Sequence, residues 1–162
     1  MPVKTMPALE GMNFVMPEGF SRETTILSFR EEPSEELQDP RMMQGLLKKN
    51  LSFPANVTLQ QRTVALDKTL NEFVEESLVE LKQALGTVEQ LKKVEFTFED
   101  QASGYLLDFS FATPQGQQLR QLHALRLDGK VLSTACLTTG AALTKEREQQ
   151  YLKSLASLRK NA

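Results

Sequence analysis

The chain has 162 residues, 40% of them hydrophobic and 25% charged, with a formal net charge of −2. That is the composition of a folded globular protein long enough to bury an ordinary core. Its 19 basic residues are scattered among 21 acidic ones, so no basic stripe is available to neutralise a phosphate backbone, which argues against nucleic-acid binding.

One histidine and one cysteine fall short of the four N or S ligands of a structural zinc site. A single cysteine also excludes an internal disulfide. The eight glycines are dispersed and form no phosphate-cradling loop or dinucleotide fingerprint, so no cofactor is expected. No apolar run approaches the length that spans a bilayer. The first residues contain neither an apolar leader core nor a lipidation cysteine. The expectation is a single reduced, cytoplasmic domain over residues 1–162.

In chain order, Asn13 to Met16 reads as a short strand running into the turn Pro17-Glu18-Gly19. Thr24 to Arg30, rich in β-branched and aromatic residues, reads as a second strand. The acidic run Glu31, Glu32, Glu35, Glu36 and Asp39 reads as a solvated loop. Pro40 after Asp39 opens a short helix over Arg41 to Lys49, with Met42, Met43, Leu46 and Leu47 on one side. Asn56 to Arg62 is a third strand. Thr69 and Glu72 form a capping box, and Leu70, Phe73, Val74, Leu78, Leu81 and Leu85 recur at helical spacing up to Gly86. Val94 to Phe98, Tyr105 to Phe111, Gln117 to Leu127 and Val131 to Thr138 alternate as strands, the last two joined by a hairpin turn at Asp128-Gly129. Thr144 caps a final helix that turns Tyr151, Leu152, Leu155 and Leu158 inward. The order predicts an α+β fold, an antiparallel sheet with its helices on one face and the other face open.

The last hairpin then has two unlike faces. Leu122, Ala124, Val131, Ala135 and Leu137 make one side apolar and suited to a helix. Gln117, Leu119, Gln121, His123 and Leu125 share the other with Leu132, Thr134, Cys136 and Thr138. With the turn at Asp128-Gly129, His123 lies opposite Thr134 and Gln121 opposite Cys136. A face that alternates Leu with hydrogen-bonding groups is either the wet side of a sheet or a surface that grips an apolar segment while satisfying its polar groups. Cys136 and His123, diagonal on adjacent strands, allow a cysteine hydrolase as the enzyme alternative, but no elbow motif or third orienting residue accompanies them. Asp108, between Leu107 and Phe109, reads as an anchor for a turn or an arginine.

Several stretches together resemble one family. Phe14-Val-Met-Pro-Glu-Gly-Phe-Ser-Arg-Glu-Thr-Thr is similar to the opening of the Eag chaperones, the effector-associated adaptors of type VI secretion. Leu66-Asp-Lys-Thr-Leu-Asn-Glu-Phe-Val-Glu-Glu-Ser-Leu is similar to their long helix. Tyr105-Leu-Leu-Asp-Phe, Leu119-Arg-Gln, Val131-Leu-Ser-Thr-Ala-Cys-Leu-Thr-Thr and Leu155-Ala-Ser-Leu follow their second half in order. The resemblance extends over roughly Asn13 to Leu158. In this chain Phe20 stands where the family has Trp and Arg22 where it has Asp. The stretch from Glu31 to Pro54 is longer than the family's hairpin connection.

The resemblance implies a DcrB-related, PsbP-like fold with a strongly curved sheet and an open concave face. It also implies a non-enzymatic, cytoplasmic, dimeric chaperone. Such a protein holds the N-terminal transmembrane segments of an Rhs or PAAR-type effector and aids its loading on the VgrG spike, without inserting stably in a membrane itself. Carried over by position, the implied effector-binding groove comprises Thr25, Leu27, Val57, Leu59, Gln61, Gln117, Leu119 and Gln121. The alternative is a ligand- or protein-binding module of the same fold with no part in secretion.

Overall fold

The computed structural model describes residues 4–9, 12–16, 18, 24–31, 54–65 and 67–160. Strands β1 (Lys4–Leu9) and β2 (Met12–Met16) pair as an antiparallel hairpin. β2 matches the expected strand. β1 was not expected: it contains Pro7, a residue that ordinarily demotes a strand, and the ladder slips between Pro7 and Leu9. The expected helix over Arg41 to Lys49, and all but the ends of the 31–54 stretch, lie outside the described residues.

The main sheet has six antiparallel strands: β3 (Thr24–Arg30), β4 (Asn56–Thr63), β5 (Glu89–Thr97), β6 (Ser103–Ala112), β7 (Gln118–Asp128) and β8 (Val131–Gly140). Their spatial order is β3-β4-β8-β7-β6-β5. Helix α1 (Leu70–Leu85) connects β4 to β5, and α2 (Lys145–Ala156) follows β8.

Local chemistry fixes the ends of the helices. The Glu72 amide donates to Thr69 Oγ1 at 3.3 Å, and the Thr69 amide donates to Glu72 Oε2 at 2.8 Å. The expected capping box is therefore closed, which satisfies two amides at the helix start. Gly86, at φ 72°, ends α1 and donates its amide to the Lys82 carbonyl, a backbone setting that suits glycine. In α2 the Thr144 hydroxyl accepts from the Arg147 amide.

The two helices do not share a face. Leu106 and Leu107 are consecutive on β6, and so point to opposite sides of the sheet. Leu106 packs with Leu122, Ala124, Ala135, Leu137, Phe98 and Leu155 of α2. Leu107 packs with Leu125 and Val74 of α1, while Leu81 and Leu85 continue over Phe109, Phe111 and Leu119. The expectation of both helices on one face is corrected here. The physical reason is that β6 and β7 bury apolar side chains on both sides, so each face needs its own cover.

The β7–β8 turn is also displaced by one residue. Asp128 pairs with Val131, making Gly129-Lys130 the two turn residues. Gly129, at φ 60°, occupies the first central position, where a type II′ turn takes glycine. His123 therefore lies opposite Cys136, and Gln121 opposite Thr138. The two faces keep the membership expected from the sequence, because moving the turn by one shifts the pairing by two.

Two arginines bind α2 and the residues after it to their face. Arg126, only 2% exposed, makes paired hydrogen bonds to Asp128 and to Asp100, donates to the Leu158 carbonyl at 2.7 Å, and lies over the Phe98 ring. Arg120 grips Asp108 with two nitrogens and reaches Glu148 of α2 at 3.0 Å, so Asp108 is an arginine anchor. Glu31 adds an ion pair with Arg147 and accepts from the Ala55 amide. It is a tie between the β3–β4 ends and α2, where a freely solvated loop residue was expected.

Gly104 permits the closest backbone approach in this core. A Cβ there would lie 2.2 Å from the Leu125 carbonyl oxygen and 2.6 Å from the Phe98 ring. Gly104→Ala should lower stability by about 2–3 kcal/mol through overpacking, read as a lower urea midpoint. An unchanged midpoint would contradict this packing.

Candidate functional site

The hydrogen-bonded rows of the sheet define the floor of a groove. Arg62 pairs with Leu132, Gln60 with Thr134 and Thr58 with Cys136, and Cys136 lies beside His123. All these side chains lie on the α1 face. Helix α1 covers the β6–β7 side of that face and supplies a wall of Ser77, Glu80, Leu81 and Ala84. The groove, open to solvent along one side, has a volume of about 520 Å³. Ile26 pairs with Gln60 on β3 and extends the same face outward, 61% exposed.

A short chain of polar groups lies in the floor. Gln121 donates from Nε2 to Thr138 Oγ1 at 3.0 Å, and its Oε1 lies 2.9 Å from His123 Nε2. Cys136 Sγ lies 3.2 Å from the same nitrogen. With the proton on Nε2, the imidazole donates to Gln121 and offers the thiol no acceptor. Phe109 stacks at a tilt against the ring, centroids 5.3 Å apart.

Burial lowers the His123 pKa to about 4 and raises that of the Cys136 thiol to about 11, with a hydrogen bond from Thr138 opposing the rise. Near neutral pH both groups are uncharged. A thiolate–imidazolium nucleophile needs the opposite shifts. The pair is a packed, neutral part of the floor.

The structure divides the residues implied by the family resemblance. Thr25 and Leu27 on β3 pair with Gln61 and Leu59 on β4, and Val57 pairs with Phe29. These five implied residues lie on the α2 face, where Val57 and Leu59 pack at the margin of the α2 core. Leu119 and Gln121 lie on the α1 face, but Leu119 is buried beneath α1 and Gln121 is engaged with Thr138 and His123. Gln117 precedes β7 and donates its amide to Thr113 Oγ1.

The implied set is therefore not one surface. The groove-facing residues of β3 and β4 are the adjacent ones, Ile26, Thr58 and Gln60. Sequence reasoning missed them, together with the wall residues Ser77 and Ala84. The alternation of Thr58, Gln60 and Arg62 along β4 was the available signal.

A second cavity, about 370 Å³, opens on the α2 face beside Gln61, Ser133 and Arg126. Its buried arginine is already saturated by Asp100 and Asp128. Among the described residues no cluster of three or more His, Cys, Asp and Glu is arranged to hold a metal, and no helix is long and apolar enough to cross a membrane.

No family model matches the chain, and no curated protein matches it. Among solved structures it is similar to PA94 of Pseudomonas aeruginosa, a protein of unknown function. The TM-score is 0.67 at 15% identity, covering 99% of this chain and 98% of that one. LpqN of Mycobacterium tuberculosis, involved in cell envelope biogenesis, gives a TM-score of 0.41 at 16% identity over 86% and 82% of the two chains. The Ran-binding protein Mog1 of Saccharomyces cerevisiae gives 0.42 at 16% identity over 97% and 89%. The α+β, PsbP-like class expected from the sequence, an open antiparallel sheet flanked by helices, is the class observed.

The depressed His123 pKa has a consequence for stability. Above pH 6.5 neither folded nor unfolded imidazole binds a proton, and the full contribution is present. As pH falls from 6.5 toward 4 the unfolded chain takes up the proton first, and on the order of 3 kcal/mol is lost. Urea midpoints at pH 7 and pH 4.5 should fall more steeply for the wild type than for His123→Gln. Equal falls would remove His123 as the cause.

Proposed function

We propose that this protein is a non-enzymatic chaperone or adaptor that holds an apolar helical segment of a client in the groove beside α1. The observation that carries the reading is the mixed lining of that groove. Thr58, Gln60 and Thr134 share the floor with Leu132 and the uncharged Cys136, while Leu81, Ala84 and Ser77 form the wall. A membrane-type helix in water exposes apolar surface worth about 2.5 kcal/mol per 100 Å² covered. Hydroxyl and amide groups beneath it satisfy any polar group it carries, and small wall residues let its backbone approach closely.

The resemblance to the Eag chaperones names the client class: N-terminal transmembrane segments of a type VI secretion effector of Rhs or PAAR type, carried toward VgrG in the cytoplasm.

The same reading favours a homodimer. From Arg62 to Thr58 the floor extends only about 13 Å, whereas a spanning helix of 20 residues is about 30 Å long. A second copy paired at β3 would widen the sheet across the strands and set a second short floor beside this one. β3 has no charged residue from Thr24 to Phe29, and Ile26, Leu27 and Phe29 are exposed at 61%, 51% and 53%. The opposite edge, β5, carries Glu89, Lys92, Lys93 and Glu95 and a register shift, the usual means of blocking edge pairing.

Affinity capture of the tagged protein from its host, read by mass spectrometry, tests the client. A secreted effector with N-terminal transmembrane segments should be recovered by the wild type and by Leu27→Asp, and reduced at least ten-fold by Ala84→Trp, which fills the groove from an exposed helix position. Undiminished recovery by Ala84→Trp would sink the reading. Sedimentation tests the dimer: the wild type should sediment as two copies and Ile26→Lys as one, whereas a wild-type monomer would end that part of it.

A further inference from the structure

The groove has opposite charges along its length, and we infer that they set the direction in which a client helix lies, its C-terminal end at Arg62 and its N-terminal half toward Glu80. This rests on the chaperone reading of the groove and adds a specificity rule to it. Arg62 stands in the outermost floor row with Leu132, its guanidinium 5.8 Å from the Phe73 ring centroid near the start of α1. Lys68 approaches the same ring but is paired with Glu76. Arg62 has no ion-pair partner among the described residues, and it is the cation that lines the groove at that end.

Glu80 lines the opposite wall, seven residues beyond Phe73, which is about 10 Å along the helix. It too has no ion-pair partner among the described residues. A cation therefore marks the end of the groove near the N-terminus of α1, and an anion lies farther toward the helix C-terminus.

A helix seated there meets three fields of the same sense. Its last carbonyls carry partial negative charge and are stabilised by a nearby cation, and its first amides by an anion. Lying antiparallel to α1 also sets each helix's dipole against the other's. A carboxylate directly after the apolar segment gains the Arg62 interaction, while a lysine there meets repulsion. At exposed sites each such charge contributes a few tenths to about 1 kcal/mol, so the preference amounts to about two- to five-fold in affinity.

The probes are two synthetic helical peptides with the same 18-residue apolar segment, one flanked by Lys before and Asp after it, the other by Asp before and Lys after. Binding is read by fluorescence anisotropy at low salt against the full chain. The Asp-after peptide should bind the wild type about two- to five-fold more tightly, Arg62→Gln should reduce the difference, and the swap Arg62→Glu with Glu80→Lys should reverse it. Both substitutions fall at exposed positions, and circular dichroism verifies that the variants fold. Equal binding of both peptides to the wild type overturns the directional rule and leaves the groove reading standing. A difference unchanged in the swap also overturns the rule. Failure of either peptide to bind overturns the groove reading and the rule with it.

Discussion

Among the described residues two helices, of sixteen and twelve residues, lie against a six-stranded sheet, and the division of that sheet into covered and open parts follows from their placement. Six strands at about 4.8 Å spacing make a sheet roughly 24 Å wide, whereas one helix with its side chains is about 10 Å across. Among the described residues, one helix per face leaves more than half of each face with no helix over it. Helix α1 covers the β6–β7 side of its face and α2 the β6–β8 side of the other. Among the described residues no helix lies over β3, whose Ile26, Leu27 and Phe29 are exposed, and the step from α1 down to β4 and β8 is the groove.

The uneven cover sets what each part of the sheet tolerates. β6 and β7 are apolar toward both helices, and a small change such as a Cβ on Gly104 meets backbone and ring at once. Polar groups enter that region only with their partners. Arg126 has two carboxylates and a carbonyl, and Arg120 has Asp108 and Glu148. Removing one partner from such an arrangement costs more than its formation contributes, because the remaining charge is left without compensation. Toward β4 the demand relaxes, and Thr58, Gln60 and Arg62 occupy a face that water can reach.

What the sequence made legible divides along the same line. The capping box at Thr69, the stop at Gly86 and the apolar stripe of α1 depend on residues a few positions apart, and they are as expected. The β7–β8 hairpin was displaced by one residue, yet its two faces kept their members, since a strand reads out only odd or even position. Placing both helices on one face failed because Tyr105-Leu-Leu-Asp-Phe was read as half-buried, although Leu106 beside Leu107 already marks a strand covered on both sides. The groove residues failed for a longer-range reason. Which side of β4 faces α1 is fixed by the pairing of Leu59 with Ala135, seventy-six positions away, and nothing local to β4 records it. The positions carried over from the resemblance on β3 and β4 therefore lie on the α2 face, one residue away from those that face the groove beside α1.

The neutral pair His123 and Cys136 shows how composition and burial together assign a role. In the sequence a single histidine and a single cysteine on adjacent strands suggest a nucleophile and its base. In the fold they sit side by side, but the burial that brings them together pushes the imidazole toward pH 4 and the thiol toward pH 11. A catalytic pair needs a nearby charge to reverse those shifts, and among the described residues none approaches either group. The same burial makes them a firm, uncharged floor, held in line by Gln121 and Thr138. An apolar helix loses least by leaving water for a floor of that kind, because no buried charge has to be desolvated when it arrives. The charged lining residues, Arg62 and Glu80, stand at exposed positions instead, where water screens them.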